Sequence, residues 1–348
     1  MKALAVTAKQ QMELINVAEP KIATPDEVII KVSYCGICGS DLPRYFDGAV
    51  HSFPQILGHE FSGVVTETGA GVENVKPGDR VVIAPLIPCC SCEECISLLP
   101  PGMCSQYGFI GSRNPGAMAE FVKVPSKCVI KLPERLSLKK AALVEPFTVA
   151  LHAIERVSLK ANETAMVLGC GSIGIALIKL LKVRGVCDII AIDLNQDRLK
   201  NANSSGATIT INPTIEDVDT ILKNSNKPSI VFETAGSPVT QKDALRYVNK
   251  KGSIVYVGTS KKDIIFSPEL FELIFRKEIV ITGSMMSYSN PFPGYEWDVI
   301  INYLNQGLLD TSDFVTGTFK LEDKEKAFHE LLNKPAHLKL LYEINPEK

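Results

Sequence analysis

The chain has 348 residues, 45% hydrophobic and 22% charged, a balance that excludes a disordered or collagen-like protein and allows two domains. Lys and Arg total 37 against 39 for Asp and Glu, so no basic field exists to hold a nucleic acid or an anionic membrane. Met1 to Val6 is too short for a signal-peptide core, no stretch of about 18 apolar residues is free of charge, and the expected location is the cytoplasm.

Up to about residue 155, Gly and Pro interrupt short β-rich runs: Glu27 to Val32, Phe61 to Thr66, Arg80 to Ile83 and Glu120 to Val124. That texture predicts an antiparallel β domain. After Pro146, Val149, Ala150, Ala153, Ile154 and Val157 recur at helical spacing, which predicts a helix leading to a second unit. Apolar strands then alternate with helical patterns: Ala165 to Leu168, Asp188 to Ile192, Thr208 to Ile211, Ser229 to Phe232, Ser253 to Val257 and Ile279 to Thr282. Such alternation predicts a doubly wound parallel sheet of the dinucleotide-binding kind. Asn290-Pro291-Phe292-Pro293-Gly294 ends the rhythm, a helix is expected near Glu296 to Asn305, and the tail is expected to rejoin the first domain. The expected domains are 1–155, completed by about 290–348, and 156–289.

Gly169-Cys170-Gly171-Ser172-Ile173-Gly174 follows an apolar strand and opens the apolar stretch Ile175 to Val183. Gly169 suits a tight turn, Gly171 a close backbone approach to a pyrophosphate, and Gly174 helix-to-strand packing, with Ser172 and Ile173 at the anion-holding helix N-terminus. The next strand ends at Asp193, 19 residues past Gly174, where a carboxylate accepts hydrogen bonds from ribose hydroxyls. Its charge would repel a 2′-phosphate, and Leu194 and Asn195 supply no cation, so NAD is expected over NADP. Arg198 is the nearest cation in this cofactor-binding set and reads as an exposed helix residue.

Cys89, Cys92, Cys95 and Cys104 form C-x2-C-x2-C-x8-C in a Pro-rich stretch with little scope for a core of its own. Four thiolates close a tetrahedron around a structural zinc ion. Cys90 is an alternative ligand that plain spacing leaves out. Cys35, Cys128, Cys170 and Cys187 read as small buried residues. A dispersed second set, Cys38, His59 and Glu145, would leave zinc formally neutral with a fourth position open to an alcohol. Glu145 could equally cap the helix that Pro146 opens.

Cys38-Gly39-x-Asp41, Gly58-His59-Glu60-x-x-Gly63, the four-cysteine lobe, Glu145-Pro146 and the 169–174 turn together resemble the zinc-dependent medium-chain alcohol dehydrogenases, over essentially the whole chain. Within them the chain is similar to the polyol and sorbitol dehydrogenase branch. Cys38 to Arg44, Phe109 to Arg113 and Tyr288 to Trp297 look like members that act on polyol phosphates. The resemblance implies a chaperonin-10-like catalytic domain plus a Rossmann domain, one catalytic and one structural Zn2+, and NAD. It also implies Cys38, His59 and Glu145 as ligands, with Glu60 as an alternate. The lobe is one residue longer between its last two cysteines than is usual in the family.

An alcohol releases hydride readily only when its oxygen carries negative charge, and zinc acidity makes that state accessible near neutral pH. Ser40 is the candidate first step for the departing proton, with His51 a weaker later one. A phosphate on the substrate calls for a guanidinium, which Arg44 or Arg113 could supply. The function expected is hydride transfer from a secondary alcohol of a polyol phosphate to NAD. The alternatives are a dehydrogenase of unphosphorylated polyols, a threonine-type dehydrogenase, and an NAD-binding sensor or structural protein. The family suggests a homodimer or homotetramer.

Overall fold

Two compact units divide the chain, Met1–Glu145 with Tyr288–Lys348 and Pro146–Ser287, in a computed structural model that describes residues 1–160, 162–334 and 336–347.

The first unit is organised by the strand Glu27–Gly36, which pairs antiparallel with Glu60–Thr68, Phe121–Pro125 and Lys339–Glu343. Val28, Ile30, Val32, Phe61, Val65, Val122 and Val124 bury their side chains in one core with Leu340 and Tyr342 from the C-terminal segment. Each such side chain contributes about 1.5–3 kcal/mol on leaving water, which is why the tail returns to this sheet. The register sets Gly36 opposite both Glu60 and Leu341, bringing three distant segments to one strand end. The sheet is not purely antiparallel as expected, since Val315–Phe319 runs parallel to Lys339–Glu343. The helix Lys326–Asn333 lies between those strands in the chain, the kind of crossover a parallel pair requires.

The second unit holds six parallel strands. In chain order they are Thr164–Leu168, Asp188–Ile192, Ile209–Ile211, Ile230–Glu233, Ser253–Tyr256 and Val280–Gly283. Their spatial order starts with the third, passes through the second and first, and continues with the fourth, fifth and sixth. All residues of Thr164–Leu168 are buried, as a strand covered on both faces must be. The edge strand Val280–Gly283 instead leaves Val280 57% exposed. The helix Val144–Ile154 runs through the division between the units, with Pro146 in its first turn, where a missing N–H is tolerated. No helix among the described residues is long and apolar enough to cross a membrane.

Candidate active site

Cys38 lies just beyond the central strand, and His59 and Glu60 stand where its neighbour Glu60–Thr68 begins. A Cys38 sulfur, a His59 ring nitrogen and a Glu60 carboxylate oxygen all lie within 4.8 Å of one another. Any Cβ at Gly36 would collide with the Glu60 carboxylate, so only glycine lets that side chain turn inward. Glu60 is 1% exposed and Lys339 2%. The Lys339 Nζ donates to Glu60 Oε1 at 2.7 Å, to Oε2 at 2.5 Å and to the Ile37 carbonyl at 3.2 Å. Burial opposes the ammonium charge, but Glu60 together with Cys38 and Glu145 outweighs it and raises the Lys339 pKa above the ordinary lysine value.

Asp41, fully buried, organises the other side. Its Oδ2 accepts the Cys38 N–H at 3.1 Å, and its Oδ1 accepts Arg44 Nη1 at 2.7 Å and faces His59 Nδ1 at 3.6 Å. That last separation is too long for a hydrogen bond, and Nδ1 has no other partner among the described residues. A carboxylate facing Nδ1 leaves Nε2 as the ring's natural ligand atom.

Glu145 is not part of the tight group that the resemblance assigns it to; Glu60 is. Glu145 is nevertheless buried close by. Its carboxyl is pushed up to about 8, mainly by burial, with His59 opposing and Glu60 and Cys38 adding. The Cys38 thiol is pushed up to about 11 by burial and then by Glu60. Burial and their acidic neighbours favour the neutral forms of the Glu145 carboxyl and the Cys38 thiol, and a divalent cation would reverse that preference. The donor set therefore fits a zinc ion: one sulfur, one imidazole nitrogen and buried carboxylate oxygens with too little positive charge around them.

Cys89, Cys92, Cys95 and Cys104 form a second group with all ligand atoms within 4.8 Å of one another. The Cys104 sulfur is 3.5 Å from that of Cys89 and 3.7 Å from that of Cys92, spacings a tetrahedral ion can bridge. Backbone N–H groups of Ser91 and Cys92 point at the Cys89 sulfur at 3.5 and 3.3 Å. With Ser91 as the leading cause, they lower its pKa to about 6. Cys90 turns away in a left-handed conformation, φ 59°, and its sulfur lies 3.4 Å from Lys127 Nζ. Cys35, Cys128 and Cys170 are buried as expected, whereas Cys187 is exposed, because it sits in the turn between Gly185 and the strand Asp188–Ile192.

The dinucleotide turn joins Thr164–Leu168 to the helix Ser172–Val183. Gly169 adopts φ +96°, a Cβ at Gly174 would overlap the Gly169 carbonyl, and a Cβ at Gly171 would meet nothing. The turn is thus tight where strand meets helix and open where a pyrophosphate would approach. Asp193 accepts the Cys170 N–H and the Asn195 N–H, each at 2.8 Å. Arg198 is half-buried rather than exposed, its Nη1 3.7 Å from Asp193 Oδ2.

Ser40 Oγ accepts Arg44 Nη1 at 3.2 Å. His51 is exposed in a bend. The Arg113 guanidinium lies over the Tyr107 ring, 4.2 Å from its centroid. Sequence reasoning missed Lys339, for which a lysine near a chain end carries no signal. It quoted Asp41 without giving it a task, though its place three residues from Cys38 in a helix-opening turn was the available clue.

Residues 24–134 match the family described as alcohol dehydrogenase GroES-like domain, and residues 172–302 match the one described as zinc-binding dehydrogenase. The galactitol 1-phosphate 5-dehydrogenase of Escherichia coli strain K12 is 35% identical over 91% of this chain and 93% of its own length. The sorbitol dehydrogenase of Bacillus subtilis strain 168 is 33% identical over 95% and 94%. The crystal structure of galactitol-1-phosphate dehydrogenase from Escherichia coli superposes with a TM-score of 0.94 at 32% identity, covering 99% of this chain and 100% of that one.

Proposed function

We propose, since the chain belongs to the zinc-binding dehydrogenases that carry an alcohol dehydrogenase GroES-like domain, that Cys38, His59 and Glu145 hold the zinc at which it oxidises a polyol, with Glu60 as an alternate ligand. It is a zinc- and NAD-dependent oxidoreductase acting on a CH–OH group. The observation that carries the assignment of the site is the convergence of Cys38, His59 and Glu60 within 4.8 Å beside a buried Asp41. The finer reading is that the substrate is a polyol phosphate, galactitol 1-phosphate, converted to a ketose phosphate such as tagatose 6-phosphate.

Zinc in this site supplies Lewis acidity, which makes an alcohol proton available near neutral pH. Ser40, two residues past Cys38, would take that proton first. Asp41 fixes the His59 ring by facing Nδ1. Lys339 holds both Glu60 oxygens and keeps that carboxylate in reserve as an alternate ligand. A bound nicotinamide would supply the hydride acceptor. Gly169, Gly171, Ser172, Ile173 and Gly174 cradle the pyrophosphate, and Asp193 takes the ribose hydroxyls, with Arg198 balancing its charge. Cys89, Cys92, Cys95 and Cys104 hold a second, structural zinc.

One observation favours an unphosphorylated polyol as the second reading. Arg44 Nη1 is directed at Asp41 and Ser40, which leaves the exposed Arg113 to read a phosphate. The edge strand Val280–Gly283, with exposed Val280 and Ile281, is the surface on which a second copy would pair, giving a homodimer or homotetramer. Ten cysteines outside any disulfide among the described residues suit the reducing cytoplasm.

Metal analysis with a matched substrate panel tests the reading. About two zinc ions per chain are expected, and galactitol 1-phosphate should turn over faster than galactitol, sorbitol and threonine. Faster turnover of an unphosphorylated polyol overturns the phosphate assignment. A chain that binds only the four-cysteine zinc overturns the site.

A further inference from the structure

Asp41 is 0% exposed, and its orientation matters because one oxygen caps the Cys38 N–H while the other faces His59 Nδ1. A carboxylate with a single hydrogen bond can rotate about its terminal torsion. Here Arg44 supplies the second anchor, 2.7 Å from Oδ1. Three residues apart on the helix Asp41–Phe46, the two side chains share one face. The Arg44 side chain is only 16% exposed, and the same Nη1 reaches Ser40 Oγ at 3.2 Å. A guanidinium that reads substrate phosphate presents its fork to the ligand. This one presents Nη1 to the groups behind Cys38 and His59.

We propose that Arg44 is a positioning residue of the metal centre, locking Asp41 so that the Cys38 and His59 ligands keep their geometry. The inference rests on the reading of Cys38 and His59 as zinc ligands, and it assigns Arg44 away from substrate recognition. Outer partners of ligating residues are worth 10–100-fold in metal affinity or activity, which sets the size of the expected effect.

The zinc content and turnover of the unaltered protein test the underlying reading first, and the variants then test Arg44 alone. In Arg44→Gln, one of the two zinc equivalents should pass to a competing chelator about tenfold more readily, while the four-cysteine zinc is retained. Turnover should fall by a similar factor for galactitol 1-phosphate and for galactitol. Arg44→Lys should recover part of both losses, and it also serves as the probe should Arg44→Gln fold poorly. Asp41→Asn combined with Arg44→Gln should be no worse than Asp41→Asn alone, because both act through one carboxylate. Unchanged zinc release overturns the proposal. So does a rise in KM confined to the phosphorylated substrate, or a double variant whose losses multiply.

Discussion

Lys339→Met should destabilise the protein by about 3–5 kcal/mol, the cost of leaving a buried carboxylate without its cation. The structure sets this apart from a surface pair, since both partners are at most 2% exposed. The ammonium also makes three hydrogen bonds, two to Glu60 and one to the Ile37 carbonyl. Methionine keeps most of the aliphatic volume, so little of the loss comes from packing. With a urea m-value of roughly 3 kcal/mol/M, the unfolding midpoint of the zinc-loaded protein should drop by about 1 to 1.7 M. Adding Glu60→Gln to Lys339→Met removes the stranded charge and should restore much of the loss. A drop worth less than about 1 kcal/mol, the range of exposed pairs, refutes the reasoning. A double variant no more stable than Lys339→Met refutes it as well.

Ser40→Ala should lower turnover about a hundredfold or more at neutral pH with metal content unchanged, checked by steady-state kinetics beside metal analysis. Asp193→Ala removes two charge-assisted hydrogen bonds that pin the 169–174 turn. It should lower kcat/KM for NAD at least tenfold and narrow the preference over NADP, measured with both cofactors. Cys95→Ser takes one thiolate from a four-ligand site and should cut zinc by about one ion per chain. The Cys89–Cys104 lobe should then become open to limited proteolysis, which a mass spectrum of the fragments would locate. Asp79 is held below the usual carboxylate range chiefly by the Lys131 ammonium, 2.7 Å away, with the Lys76 N–H helping. A carboxyl whose pKa is depressed on folding stabilises above its unfolded value and loses that contribution as pH falls through its folded one. Asp79→Asn should therefore be less stable than the parent at pH 7, and urea midpoints should converge below about pH 4.

The spacing of residues along the chain was enough for the parts whose chemistry is local. Four cysteines within sixteen positions can meet around one ion in almost any loop, and they do. Gly169 to Gly174 lies between a strand and a helix as its pattern requires, because backbone conformation and close approach are short-range demands. The strands Arg80–Ile83 and Asp188–Ile192 start and end where their apolar runs do.

What required the folded chain is every relation between segments far apart in sequence. The family resemblance sets Glu145 beside Cys38 and His59 with Glu60 as an alternate, whereas the antiparallel register that sets Gly36 against Glu60 puts Glu60 in the tightest group. Lys339 reaches that carboxylate only because the C-terminal strand pairs with the other edge of Glu27–Gly36. Periodicity cannot announce such a contact. Arg44 reads from the sequence as a candidate partner for a substrate phosphate, and the helix Asp41–Phe46 turns it onto a buried aspartate instead. Alternation of residues says that a strand will bury one side, but the energy of excluding water from a shared core chooses its neighbours, and those neighbours determine which charges must balance one another.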